Sequence, residues 1–217
     1  THTDDKEGDI TFTADKSALA NISDKEINDE LGKFVGKIKQ RPSSVSAIKI
    51  DGKTAHARVR AGENVEIAER DVVIDEIKII NIQRANDQIQ VEISVTCSAG
   101  TYIRAIARDL GDRLKVGGHL IKLRRNLVSP FTLDQCKSIE ESALIPIGEV
   151  IEKIFPIRKL DLSQSREISF GRVIEQNPQP GVFAAIDNQD NFVALLENKL
   201  QASQMVAAPI LVKGSGQ

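Results

Sequence analysis

The sequence predicts an α+β protein, with a mixed or antiparallel sheet followed by a small β-rich domain. Two β-branched runs, Val72–Gln83 and Gln88–Cys97, are separated by Asn86-Asp87 and form a hairpin pattern. Apolar residues Ile103, Ile106, Ala107, Leu110 and Leu114 then recur at helical spacing. Beyond Pro156, "GVFAAI", "NFVALLEN" and "MVAAPILV" are strand-like, with a turn over Asp187–Asn191.

From the start of the chain, Ile22–Ile38 is expected to be a helix. Ser23 can cap it, Glu26 follows three residues later, and Ile27, Leu31 and Phe34 form an apolar stripe. Gln40–Thr54 begins as loop around Pro42 and its serines. It continues as a short strand at Val45, Ala47 and Ile48–Ile50, closed by the Asp51-Gly52 turn. Ala55–Glu63 is short and basic, a candidate helix stopping at Gly62. In the second strand of the hairpin, Ile89, Val91, Ile93 and Val95 share the face to be buried, and Gln90, Glu92, Ser94 and Thr96 the polar one. Ser98-Ala99-Gly100 ends that strand, so Tyr102 and Arg104 fall in the first turn of the next helix, which Gly117-Gly118 ends. Helical pieces surround Pro146 within Ser138–Ile154, and Lys213–Gln217 is expected to be a loose tail. The expected domains are residues 1–145, a linker over 146–156, and a β-rich domain over 157–217.

Composition excludes several function classes. The chain is 41% hydrophobic and 28% charged, ordinary values for a globular domain. No apolar run approaches a membrane span, so no membrane association is expected. Cys97 and Cys136 form neither a metal-spaced pair nor a disulfide framework, and a reducing cytoplasm is the expected compartment. The formal net charge is −2, but it is unevenly spread. Residues 1–32 hold nine acids against three lysines, residues 33–70 nine Lys/Arg against four acids, and residues 104–125 seven Lys/Arg against two acids. Two basic stretches in a near-neutral chain fit a phosphate-binding surface, although solvated faces would look the same.

Taken singly, the notable side chains are unremarkable. A tyrosine at a strand end is usually core packing. An arginine there is usually a surface ion pair. Order is what distinguishes them. The motif T-x-T-x-D-x-x-G is matched by Thr1 to Gly8, and Q-x-P…S-A-x-K-x-x-G by Gln40, Pro42, Ser46, Ala47, Lys49 and Gly52. Arg60 and Gly62 follow, then Arg70 before a strand. C-S-x-G-T-Y-I-R-x-x-x-x-D-L-G is matched throughout from Cys97 to Gly111. G-x-H-x-x-x-L-R-R is matched by Gly117, His119, Leu123, Arg124 and Arg125. In this series, over residues 1 to about 135, the chain resembles the TruB family of bacterial tRNA pseudouridine-55 synthases. The later part resembles that family's PUA-like RNA-binding domain more weakly.

The resemblance implies an isomerase that converts uridine 55 in the T arm of tRNA to pseudouridine, as a monomer without cofactor or metal. A non-catalytic RNA-binding module of the same fold is the alternative. The target base would be flipped out of the folded arm. Tyr102 would stack on it, and its hydroxyl would assist removal of the C5 proton. Arg104 would pair with the catalytic aspartate. Leu123 would pack against the base, while Lys49, Arg124 and Arg125 would neutralise RNA phosphates. His119 would be a structural or wall residue rather than a base. Val45, His56 and Val59 depart from the family pattern in the segment that clamps RNA. The family's nucleophilic aspartate lies in a G-H-T-G-x-L-D-P block upstream of the first motif, and this chain does not contain that block. Asp4, Asp5 and Asp109 lack its context. The chain is therefore expected to be part of a longer synthase, inactive by itself.

Overall fold

The computed structural model describes all residues except 47, 51, 64–66, 86, 142–143 and 215–217. The expected turn residues Asp51 and Asn86, the motif residue Ala47 and the last three residues of the expected tail lie outside the described residues. The chain divides into two compact units, Thr1–Leu123 and Arg124–Gln217.

The first unit opens with a short helix α1 (Lys16–Asn21) and then α2 (Asp24–Gly32). Ser23 caps α2 through a full capping box: its Oγ accepts from the Glu26 backbone N–H, and the Glu26 carboxylate accepts from the Ser23 N–H. The helix stops at Gly32, short of the expected Ile38. Gly36 has φ +104°, a conformation that breaks the helix at little cost only in glycine, and strand β1 (Gly36–Gln40) begins there. A small hairpin, β2 (Lys49–Ile50) and β3 (Lys53–Thr54), leads into α3 (Ala55–Arg60), which ends before Gly62 as expected.

The hairpin is longer than the apolar pattern indicated. Strand β4 (Arg70–Ala85) pairs antiparallel with both β1 and β5 (Gln88–Cys97), giving the order β1-β4-β5. A bulge between Ile79 and Asn81 rephases β4, so Ile79 and Ile82 reach the core while Ile80 is left exposed. Helix α4 (Ile103–Arg113) follows, with Tyr102 at its N-cap. Ile27, Leu31, Phe34, Ile74 and Ile106 form the buried centre, and the half-buried face of Ile89, Val91, Ile93 and Val95 packs against it, as the alternation predicts. After α4, a Cβ at Gly111 would overlap the backbone of Gly117 and Gly118. That close approach brings residues 118–120 back beside Asp4–Lys6, where the Lys6 N–H donates to the Leu120 carbonyl and the Leu120 N–H to the Asp4 carbonyl.

The second unit begins with a two-stranded ribbon, β6 (Leu127–Val128) and β7 (Phe131–Thr132), and a 3-10 turn at Leu133–Gln135. The expected linker is in fact ordered: Pro146 leads into α5 (Ile147–Ile154). Its Ile151 is buried with Ala184 and Phe192, so α5 packs on this unit through that residue. The remaining elements are β8 (Ile157–Lys159), α6 (Leu162–Ser169), β9 (Ile174–Glu175), β10 (Val182–Ile186), β11 (Phe192–Gln201) and β12 (Gln204–Val212). They form a mixed five-stranded sheet, β8-β10-β11-β12-β9, in which only β8 and β10 run parallel. The β-rich expectation holds for this sheet. Helix α6 was not foreseen, although Asp161 and Gln164 cap each other at its start. Phe183, Ala185, Leu196, Ala207 and Ile168 of α6 form the core. Among the described residues no helix is long and apolar enough to cross a membrane.

Candidate active site

The β5–α4 junction places its side chains by simple chain geometry. Gly100 has φ +85°, the strand ends, and Tyr102 caps the next helix in an extended conformation (φ −100°, ψ 107°). Four residues make one helical turn, so Arg104 and Arg108 project from one side of α4. Both meet acids from the first segment of the chain.

Arg104 Nη2 lies 2.7 Å from Asp5 Oδ2, and its Nη1 donates to the Val45 carbonyl at 3.4 Å. Asp5 is 12% exposed and Arg104 40%. The other Asp5 oxygen, Oδ1, accepts from the Thr3 hydroxyl (2.7 Å) and the Glu7 backbone N–H (3.0 Å). Burial pushes this carboxyl up, but the Thr3 hydroxyl, the Glu7 N–H and the Arg104 charge together hold it below the ordinary carboxylate value. A carboxylate this fully engaged is suited to orient a guanidinium and poorly suited to attack a base.

Arg108 forms a parallel arrangement one turn on. Its Nη1 lies 3.0 Å from Asp4 Oδ2, its Nε donates to Asp109 Oδ1 at 2.8 Å, and its Nη2 donates to the Arg41 carbonyl at 2.8 Å. Burial raises the Asp109 carboxyl, and Arg108 offsets this only in part. The two arginines thus hold Thr1–Gly8 with one set of bonds and the loop from Arg41 to Val45 with another. Gln40, 2% exposed, hydrogen-bonds the Tyr102 backbone on both sides.

The sequence-predicted residues divide accordingly. Tyr102 and Arg104 sit together at the junction. Arg104 has a carboxylate partner within this chain, Asp5, where the sequence reading reserved it for an aspartate of another segment. Lys49 is exposed on β2, and Leu123 is 53% exposed at the end of the first unit. Arg124 and Arg125 are exposed and belong to the second unit. His119 flanks the Leu120 rung beside Asp5. Val45 contacts Arg104 through its carbonyl, so the contact does not depend on its side chain. His56 braces its loop, with Nδ1 at 3.3 Å from the Ser46 carbonyl and Nε2 at 3.5 Å from the Thr54 hydroxyl. Sequence reasoning missed the roles of Asp4, Asp5, Arg108 and Gln40. The spacing of Arg104 and Arg108 was the available signal for a paired acid site.

Comparison with known proteins adds three findings. The family model described as "TruB family pseudouridylate synthase (N terminal domain)" matches residues 1–103. The model "tRNA Pseudouridine synthase II, C terminal" matches residues 155–207. Among curated proteins, tRNA pseudouridine synthase B of Corynebacterium diphtheriae is 40% identical over 216 residues, covering 96% of this chain and 72% of that protein. The protein of the same name from Rhodococcus jostii is 41% identical over 221 residues, covering 98% and 72%. Among solved structures, an H/ACA RNP bound to a substrate RNA containing 2'-deoxyuridine superposes with a TM-score of 0.60 at 18% identity. A Cbf5-Nop10-Gar1 complex does so with 0.58 at 19%. The chain covers 88–89% of itself in these two superpositions and spans 61–62% of those chains, a likeness of fold.

Proposed function

The chain belongs to the TruB family of pseudouridylate synthases, an isomerase family, and from that premise we propose that its β5–α4 junction forms one wall of a uridine pocket that acts on the T arm of tRNA. The observation that carries the reading is the Arg104–Asp5 pair beside Tyr102: an anchored guanidinium and an aromatic ring at the mouth of a strand-to-helix junction. The relatives named above are called tRNA pseudouridine synthases, which supports tRNA as the substrate class.

In this reading uridine 55 leaves the stack and its ring lies on Tyr102. The bond from N1 to the ribose C1′ is cut, the uracil turns, and C5 bonds to the same carbon. C5 gives up its proton and N1 gains one, so no atom is gained or lost and no cofactor is required. Tyr102 supplies the stacking surface, and its hydroxyl assists at C5. Arg104, held on one side by Asp5 and the Val45 carbonyl, is 40% exposed and retains donors for a second carboxylate. That carboxylate is the family's nucleophilic aspartate, whose G-H-T-G-x-L-D-P block does not occur in these 217 residues. Exposed Lys49, Arg124 and Arg125 attract backbone phosphates, and Leu123 packs on the base. The protein works as a monomer in the cytoplasm.

The test is a tRNA isomerisation assay with two proteins: residues 1–217 alone, and residues 1–217 joined to the aspartate block of a relative. Only the second is expected to form pseudouridine, and only at position 55. Pseudouridine formed by residues 1–217 alone would refute the assignment of the nucleophile. Failure of the joined protein to act on any tRNA uridine would refute the site.

A further inference from the structure

Gln40 ends β1 opposite Arg70 and is almost completely buried. Its side-chain amide makes two hydrogen bonds to one residue 62 positions along the chain. Nε2 donates to the Tyr102 carbonyl at 3.0 Å, and the Tyr102 backbone N–H donates to Oε1 at 2.8 Å. A primary amide presents a donor and an acceptor side by side, as the N–H and C=O of one residue on a neighbouring antiparallel strand do. Gln40 therefore pairs with Tyr102 as a strand would, at the point where β5 has ended and α4 has not begun. As N-cap of α4, Tyr102 makes no side-chain cap bond, and among the described residues its carbonyl otherwise meets the Ile106 N–H, at 3.3 Å.

We infer that Gln40 is a positioning residue, whose amide fixes the Tyr102 peptide and thereby the direction of the tyrosine ring and the start of the helix that carries Arg104. What the ring does with a flipped uracil rests on the function proposed above; the clamp itself does not. Glutamate offers two acceptors, and leucine neither a donor nor an acceptor. Asparagine is one methylene shorter.

The chain has one tyrosine and no tryptophan, so its tyrosine fluorescence comes from Tyr102 alone. The experiment compares residues 1–217 with the variants Gln40→Leu and Gln40→Glu, using iodide quenching of that fluorescence and the exchange protection of the Tyr102 amide. In Gln40→Leu the Tyr102 amide is expected to lose about tenfold in protection, the scale of one hydrogen bond. Quenching should rise while protection in β10 stays unchanged. Gln40→Glu keeps an acceptor for the Tyr102 N–H but sets its second oxygen against the Tyr102 carbonyl, so it should resemble the leucine variant at pH 7. Its carboxyl, buried and facing a carbonyl, should take up a proton well above the usual carboxylate range. The acid O–H then replaces the lost donor, so quenching should return towards the parent value between pH 7 and 5. Gln40→Leu should show no such recovery. Unchanged protection and quenching in both variants would overturn the inference. A glutamate variant that does not recover with acid would also overturn it, since Gln40 would then only fill space. If the clamp behaves as described while the joined protein isomerises no tRNA uridine, the functional reading fails and the clamp stands.

Discussion

Asp5→Asn is the most informative single change at the junction. The substitution preserves shape, and the amide oxygen can still accept from the Thr3 hydroxyl and the Glu7 N–H at the Oδ1 position. What it removes is the charge at Oδ2, leaving an N–H₂ group facing the Arg104 guanidinium 2.7 Å away. Breaking a fully buried ion pair costs about 3–5 kcal/mol. Exposed pairs are worth about 0–1 kcal/mol. This pair is asymmetric, with the acid 12% and the arginine 40% exposed. Solvent screening of the arginine brings the expected loss to about 1–2 kcal/mol at neutral pH. The assay is urea unfolding followed by tyrosine fluorescence, which reports the first unit alone because Tyr102 is the only fluorophore of its kind. The pH dependence is a second check. The folded Asp5 carboxyl lies below its ordinary value of 3.8, so its contribution is complete above that value and is lost as pH falls through the lower, folded one. The difference between parent and variant should therefore be constant above about pH 5 and shrink below pH 4. An asparagine variant as stable as the parent at pH 7, or a difference that does not change with acid, would refute the Arg104–Asp5 assignment.

Three further outcomes follow from the same geometry. In the protein joined to the aspartate block, Tyr102→Phe should bind tRNA nearly as the parent does but turn over far more slowly, because the stacking surface of about 1–3 kcal/mol per base is kept and the hydroxyl is lost; single-turnover kinetics with measured Kd values separate the two effects. Gly111→Ala should destabilise the first unit by about 3 kcal/mol or more, because the added methyl overlaps main chain at Gly117 and Gly118 that cannot rotate away; urea unfolding of the variant measures it. Amides across Gln88–Cys97, on an edge strand with half-buried side chains, should exchange at least tenfold faster than those of Val182–Ile186, where β10 lies between two strands and Phe183, Ala184 and Ala185 are no more than 1% exposed; NMR-detected exchange on residues 1–217 gives the ratio.

The parts of the fold visible in the sequence were those written in local chemistry. The Ser23–Glu26 capping box, the alternation along β5 and the helical spacing of Ile103, Ile106 and Leu110 each involve residues close in the chain, and each formed as read. The end of α2 was misplaced because Phe34 and Ile38 continue an apolar stripe that tertiary structure uses differently. Phe34 is buried beyond the helix, and Ile38 is taken into β1 by pairing with Val72. Helix α6 was overlooked amid strand-like neighbours, although its Asp161–Gln164 signature was present. At the site, Tyr102 and Arg104 could be singled out by motif. Their partners could not, because nothing local ties Asp4 to Arg108, 104 positions away, or Gln40 to Tyr102.

The close approach of α4 to the Gly117-Gly118 turn has a consequence for how the protein is made. The acids Asp4 and Asp5 leave the ribosome about a hundred residues before the helix that neutralises them, an interval of roughly 5–20 s at ordinary rates of synthesis. Throughout that time the segment from Thr1 to Gly8 has neither its arginines nor the Leu120 rung to hold it. The β4–β5 hairpin, whose ends are neighbours in sequence, closes early, whereas the junction pays the entropy of much longer loops. The nascent chain therefore carries the acidic segment Thr1–Gly8 unanchored while the hairpin is already paired. That window closes once Gly118 docks against α4.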